Sequence, residues 1–164
     1  MFNNKMHEEQ SELLMDKKHS IIKIHYQLKL KDNKIIRMKE KIDELLEWTE
    51  KIGNSDQIVV VEGKEDKEAL KRLGITNVAQ LNKKPIYKIV EELVEEGKEV
   101  LILTDLDKKG KQLYGKINHD LQRFGVKVDN RFRNFLYKHT QLRQIEGLDT
   151  YINKLKKQTR AELL

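Results

Sequence analysis

The sequence predicts an α/β fold, a parallel sheet of four strands with helices on both faces. Three observations carry it. Two short apolar runs, Ile58–Val61 and Val100–Leu103, are aliphatic at every position and too short for helices, as strands buried on both faces are. Amphipathic helical segments alternate with them in the order β-α-β-α-β-α-β, which calls for right-handed crossovers and a parallel sheet. Both runs end in carboxylates: Glu62-Gly63-Lys64 after the first, and Asp105-Leu106-Asp107 with Gly110 after the second.

Taken in order, residues 1–37 read differently from the rest. Ile22, Ile24, Tyr26, Leu28 and Leu30 alternate with Lys23, His25, Gln27 and Lys29, the pattern of a half-buried strand. Asp32-Asn33-Lys34 signals a turn, so the segment reads as an edge hairpin or a poorly ordered extension before a domain at 38–164. From Met38 the period is helical, with Ile42, Leu45, Leu46, Thr49 and Ile52 on one face and Gly53-Asn54 as the stop. A short helix over 66–73 follows the first strand and ends at Gly74. Asn77–Leu81 is a weaker strand. Pro85 opens a helix that Gly97 stops. After the carboxylate pair come a helix over about 109–124, a short strand at Val126–Val128, and helices at 130–138 and 148–157.

Composition sets outer limits. With 164 residues the chain is one domain with an appendage, and a net charge of +6 suits a polyanionic partner and, equally, a highly charged solvated surface. There is no cysteine, which excludes disulfides, zinc–thiolate sites and thiol nucleophiles. No apolar run spans a membrane and no secretory pattern opens the chain, so a cytoplasmic protein is expected. His7, His19, His25, His119 and His139 lack metal-ligand spacing, and neither GxxxxGK[ST] nor GxGxxG is present.

What remains is the carboxylates. Glu62, Asp105 and Asp107 sit at the carboxyl ends of strands, where open α/β sheets bind ligands. If the two strands are neighbours, the three acids converge, and only a cation such as Mg²⁺ relieves their repulsion. An Asp-x-Asp on its own is weak, because it also suits a solvated turn in which Asp caps the next helix.

The combination is more specific. Val60-Val61-Glu62-Gly63-Lys64-Glu65-Asp66, then Leu103-Thr104-Asp105-Leu106-Asp107-Lys108-Lys109-Gly110, resembles the Toprim domain of topoisomerases, bacterial-type primases and related nucleases. Its Glu-Gly-Lys-x-Asp form is similar to small ribonuclease-like members, including the maturase of bacterial 5S ribosomal RNA. The whole resembles the short stand-alone Toprim proteins of archaea. The resemblance covers about residues 57–150. It implies a four-stranded parallel sheet, one or two Mg²⁺ (or Mn²⁺) ions held by Glu62, Asp105 and Asp107, and phosphodiester chemistry on nucleic acid, with RNA favoured over DNA. Glu62 is either a ligand or a general acid or base. Lys64 is placed to contact a phosphate, and Lys108, Lys109, Lys111, Arg131 and Arg133 to follow a nucleic-acid backbone.

Departures from the larger relatives narrow this. Lys109 stands where topoisomerases often carry a third acid, and no tyrosine domain or zinc module accompanies the motif, so full topoisomerase or primase activity is not expected. Glu146 is either a late ligand or a helix-entry residue. Two other classes compete: a non-catalytic nucleic-acid-binding module that keeps the metal site, and a phosphatase of haloacid-dehalogenase type with Asp105 as nucleophile. Lys109 and the short remainder of the chain argue against the phosphatase.

Overall fold

The computed structural model describes the backbone of residues 2–163 and the side chains of residues 14–163, which leaves the His7 side chain outside it. The elements are α1 (Phe2–Gly53), β1 (Ile58–Val61), α2 (Lys64–Arg72), β2 (Val78–Gln80), α3 (Ile86–Glu96), β3 (Val100–Ile102), α4 (Lys108–Arg123), α5 (Arg131–His139), a 3₁₀ turn (Ile145–Gly147) and α6 (Leu148–Leu163). The strands lie parallel in the order β2-β1-β3. Ile58, Val59 and Val60 pair with Val100, Leu101 and Ile102, so the two carboxylate-bearing strands are neighbours.

Because side chains alternate along a strand, the central strands supply two cores. Val59, Val61, Leu101 and Leu103 pack with residues of α1, α2, α5 and α6. Ile58, Val60, Val100 and Ile102 pack with residues of α3 and α4. Every residue of β1 and β3 is buried, which is why both read as unbroken apolar runs.

Two expectations are corrected. The described sheet has three strands, not four. Val126–Val128 makes a single parallel bridge, Val128 to Val100, because Gly125 with φ +75° releases the chain from α4 and Asn130 already leads into α5. The edge hairpin expected from the strand pattern at 22–30 and the turn at 32–34 is absent, and the whole segment lies inside α1. No glycine or proline interrupts residues 2–52, and Leu14, Ile21, Leu28, Ile35, Ile42 and Thr49 recur every seventh residue. That longer helical period overrides the local alternation, since no neighbouring strand is present to reward a half-buried strand.

The candidate carboxylate centre

Glu62 follows β1 directly and is half-buried. Its Oε1 accepts a hydrogen bond from the Asp105 backbone N–H at 3.0 Å, so the first acid holds the peptide that presents the second. Asp105 follows β3 after Leu103 and the buried Thr104. Its Oδ1 accepts from the Ile145 backbone N–H at 3.0 Å, and the Leu106 N–H donates to the Arg143 carbonyl at 2.8 Å. The segment before α6 therefore closes over the end of β3. Asp107 caps α4, its Oδ1 accepting from the Gly110 N–H at 2.8 Å, as an acid at a helix N-terminus should.

Gly110 explains the spacing of the motif. A Cβ there would stand 2.1 Å from the Asp105 carbonyl oxygen, so the first turn of α4 packs directly on the Asp105 peptide. The buried Thr104 hydroxyl donates to the Gly110 carbonyl at 2.8 Å and closes the same turn.

Two contributors were not among the expected site residues, and a third takes a role other than the expected one. Asp66 is buried and caps α2, with its Oδ2 accepting from the Gly63 N–H at 2.9 Å. Burial pushes its carboxyl above the usual range and the charges of Asp105 and Glu62 add to this, while hydrogen bonds from the Gly63 and Glu146 backbone oppose it. Its signal in the sequence was the acid three places after Gly63, a capping pattern. The second is the Ile145 backbone, which no side-chain pattern announces. The third is the role of Arg133. Expected to follow a nucleic-acid backbone, it is instead buried behind the site, where it donates to the carbonyls of Thr104 and Asp105. Its guanidinium lies 4.6 Å from the centre of the Tyr114 ring. Burial lowers its pKa, and the charges of Tyr114, Asp105 and Glu62 pull the other way. The sequence hint was its place among the buried Phe132, Phe135 and Leu136 of α5.

The other basic residues stay outside. Lys64, Lys108, Lys109 and Lys111 are exposed on the first turns of α2 and α4. Lys111 donates to the Tyr137 hydroxyl at 3.0 Å. Arg131 is exposed but paired, with Nη2 2.7 Å from Asp129 Oδ2. Glu146 is exposed on the 3₁₀ turn, where it helps line an open groove of about 1000 Å³ together with Glu65, Arg72, Arg143, Tyr151 and Lys154.

Does this set suit a divalent metal? Among the described residues no three His, Asp or Glu side chains stand grouped as metal ligands in this conformation, Asp107 being turned to its helix cap. The chemistry of the donors nevertheless fits. Glu62, Asp105 and Asp107 each have one oxygen fixed by a backbone N–H, and among the described residues none forms a salt bridge. Hard oxygens with charge left uncompensated are what Mg²⁺ takes.

Comparison with known proteins agrees. A UPF0292 protein of Methanocaldococcus jannaschii is 38% identical over 125 residues, which is 73% of this chain and 98% of that protein. One from Methanosarcina barkeri is 36% identical over 123 residues, 73% of this chain and 86% of its own length. The chain belongs to the UPF0292 family. Residues 57–135 of this UPF0292 protein match the Toprim domain, which places both acidic motifs inside that domain. A solved structure described as a putative protein from Aquifex aeolicus matches with a TM-score of 0.57 at 35% identity, over 63% of this chain and 94% of that one. Toprim domains bind divalent metal such as Mg²⁺ and serve nucleic-acid chemistry, and this one presents its acids where the parallel strands end. Among the described residues no helix is long and apolar enough to cross a membrane.

Proposed function

We propose that this UPF0292 protein is a Mg²⁺- or Mn²⁺-dependent nuclease whose preferred substrate is RNA. The observation that carries the reading is the contact between Glu62 and the Asp105 peptide, which locks two acids, without a cationic partner among the described residues, at the ends of adjacent parallel strands. Glu62, Asp105 and Asp107 would hold the ion, which supplies charge stabilisation at a phosphodiester and an activated water. Glu62, half-exposed and anchored through one oxygen, leaves the other free to ligate or to move a proton. Lys64, Lys108, Lys109 and Lys111, exposed on the first turns of the helices that follow the acids, would contact the phosphates of the bound strand. The preference for RNA rests on the Glu-Gly-Lys-x-Asp form that residues 62–66 share with ribonuclease-like Toprim proteins.

The test is a time course with structured RNA and matched DNA, with EDTA and Glu62→Gln as controls. Cleavage should fall at least about a hundredfold in both controls while most of the RNA affinity survives in Glu62→Gln. Alanine at these lysines should weaken binding and flatten its dependence on salt. Cleavage that persists in both controls would remove the assignment. Salt-sensitive binding with no cleavage of any substrate would make the protein a non-catalytic binding module.

A further inference from the structure

The segment 140–147, between α5 and α6, is strapped to the carboxyl end of the sheet. Asp105 accepts from its Ile145 N–H, and the Leu106 N–H donates to its Arg143 carbonyl. Two hollows adjoin this strap. The larger is the groove of about 1000 Å³, lined by the strap, α2, α6 and Lys41 of α1. The smaller, of about 540 Å³, is lined by Leu106, Tyr137 and the strap. Gln141, Leu142 and Arg143 line both, so the hollows form one track. Leu106 stands between Asp105 and Asp107, and Glu146 follows Ile145, so each hollow reaches the carboxylate centre.

Away from that centre the larger hollow turns basic. Glu65 lines it on the first turn of α2, and Arg72 lines it seven residues on, about 10 Å along the helix. Arg72 pairs with the buried Asp149 at 2.5 Å. Lys41, Arg143 and Lys154 form no salt bridge among the described residues. Cations left without counter-ions along a track that starts at metal-suited acids call for a ligand of repeated negative charge. Each hollow also holds a tyrosine. Tyr137 is 55% exposed, with Lys111 Nζ 4.2 Å from its ring centre, and Tyr151 is half-buried, its hydroxyl 3.4 Å from Lys41 Nζ. Aromatic rings among cations suit unstacked bases and their phosphates, whereas a duplex keeps its base faces covered. Leu106, Leu142 and Leu155, the apolar lining, are buried or half-buried and leave little anchorage for a protein partner.

We propose that this track binds single-stranded nucleic acid across the strap, with Arg143 and Lys154 on phosphates and Tyr151 against a base. The inference rests on the nucleic-acid reading of the carboxylate centre, and adds the path of the strand and its unpaired state.

The test is fluorescence anisotropy of the full chain in EDTA, with a labelled unstructured RNA of about 15 nucleotides and a blunt duplex of the same sequence. Arg143→Ala with Lys154→Ala should raise the Kd for the single strand roughly tenfold or more. It should also flatten the slope of log affinity against log salt by about 1.4, two contacts at about 0.7 each. Both side chains are exposed, and the Arg143 carbonyl that holds Leu106 is untouched, so the melting temperature should stay as it was. Lys88→Ala with Lys116→Ala removes the same charge from α3 and α4, the helices on the other face of the sheet, and should change the Kd less than about twofold. Tyr151→Leu should weaken the single strand about tenfold without changing the salt slope, and Tyr151→Phe, which keeps the ring, should restore the affinity. If Lys64→Ala with Lys108→Ala weakens binding while the Arg143 and Lys154 pair does not, the track is refuted and the nuclease reading stands. Equal weakening by the Lys88 and Lys116 pair also refutes it, because net charge alone would then be at work. A duplex bound as tightly as the single strand, with Tyr151→Leu unchanged, removes the unpaired state. A wild-type protein that binds neither RNA removes both the track and the reading on which it rests.

Discussion

The two ends of the sheet hold the same chemical group in opposite states. Where β1 and β3 begin, Asp129 is buried and fully partnered: Gln57 Nε2 reaches its Oδ2 at 3.2 Å and Arg131 Nη2 the same oxygen at 2.7 Å, while its Oδ1 takes the Arg131 backbone N–H. Where the strands end, Glu62 and Asp105 are met, among the described residues, by backbone N–H groups alone, and the nearby cation, Arg133, is turned to carbonyls. One acid is stabilised by what surrounds it. The others are positioned but left with charge, the condition of a group kept for a ligand. The difference teaches that an acid at a strand end is a candidate site only when the fold withholds its counter-ion.

If the carboxylate end is built for position, substitutions behind the acids should cost more than substitutions of the acids. The largest effect is expected for Gly110→Ala. Its Cβ must displace the Asp105 carbonyl, which the buried Arg133 also holds. A loss of about 3 kcal/mol or more in denaturant unfolding is expected. A loss under about 1 kcal/mol would show that the turn yields easily and does not fix Asp105.

Arg133→Met comes next. It fills a similar volume but leaves the carbonyls of Thr104 and Asp105 without their donor, and Thr104 is buried. The expected cost is about 2 kcal/mol. Because Arg133 is not on the surface, the slope of RNA affinity against salt should stay as it was, unlike that of a lysine variant at the rim. A flatter slope would return Arg133 to the phosphate contacts.

How much of this the sequence showed depended on whether the cause was local. The buried strands, the acids that end them, and the Gly63 and Gly110 turns are written in runs of a few residues, and the parallel sheet followed from connection rules, whereas the adjacency of the two acid-bearing strands was only the condition under which their acids converge. The sheet was overcounted because Val126–Val128 has strand composition but only one residue's width of pairing before Asn130 leads into α5. Arg133 was misplaced because the carbonyls that hold it come from the segment just after β3, 28 residues or more away. The segment 22–30 misled for the opposite reason. A period of two over nine residues was locally stronger than the heptad, which becomes visible only when α1 is read from Leu14 to Ile52.

At the paired end the expected effect is smaller and depends on pH. Arg131 holds the Asp129 carboxyl down from the ordinary 3.8 to about 2, with burial opposing. A folded pKa below the unfolded one contributes stability that is present above 3.8 and disappears as pH falls toward 2. Arg131 is 63% exposed, so screening limits the contribution to about 1 kcal/mol at pH 7. Asp129→Asn should therefore be destabilised by about that amount at neutral pH, and the gap from wild type should narrow between pH 4 and pH 2. A gap that stays constant across this range would mean that packing, not charge, makes the difference.

The smallest effect is expected at the unpaired end and carries the opposite sign. In Asp105→Asn the amide oxygen still accepts from the Ile145 N–H, and the change removes one of the charges that oppose ionisation of Asp66. Without divalent metal the variant should be as stable as wild type or a few tenths of a kcal/mol more so, the usual size for relief of a partly exposed like-charge contact. Mg²⁺ should raise the melting temperature of wild type by mass action and that of Asp105→Asn much less, because a ligand oxygen and a charge are gone. Measured in EDTA and again in millimolar Mg²⁺, the pair of curves separates the two ends of the sheet: Asp129→Asn loses stability equally in both media, whereas Asp105→Asn loses only the response to metal. An Asp105→Asn protein that is weaker in EDTA would place Asp105 with Asp129 among the acids that hold the fold together. An undiminished Mg²⁺ response would move the metal to other oxygens.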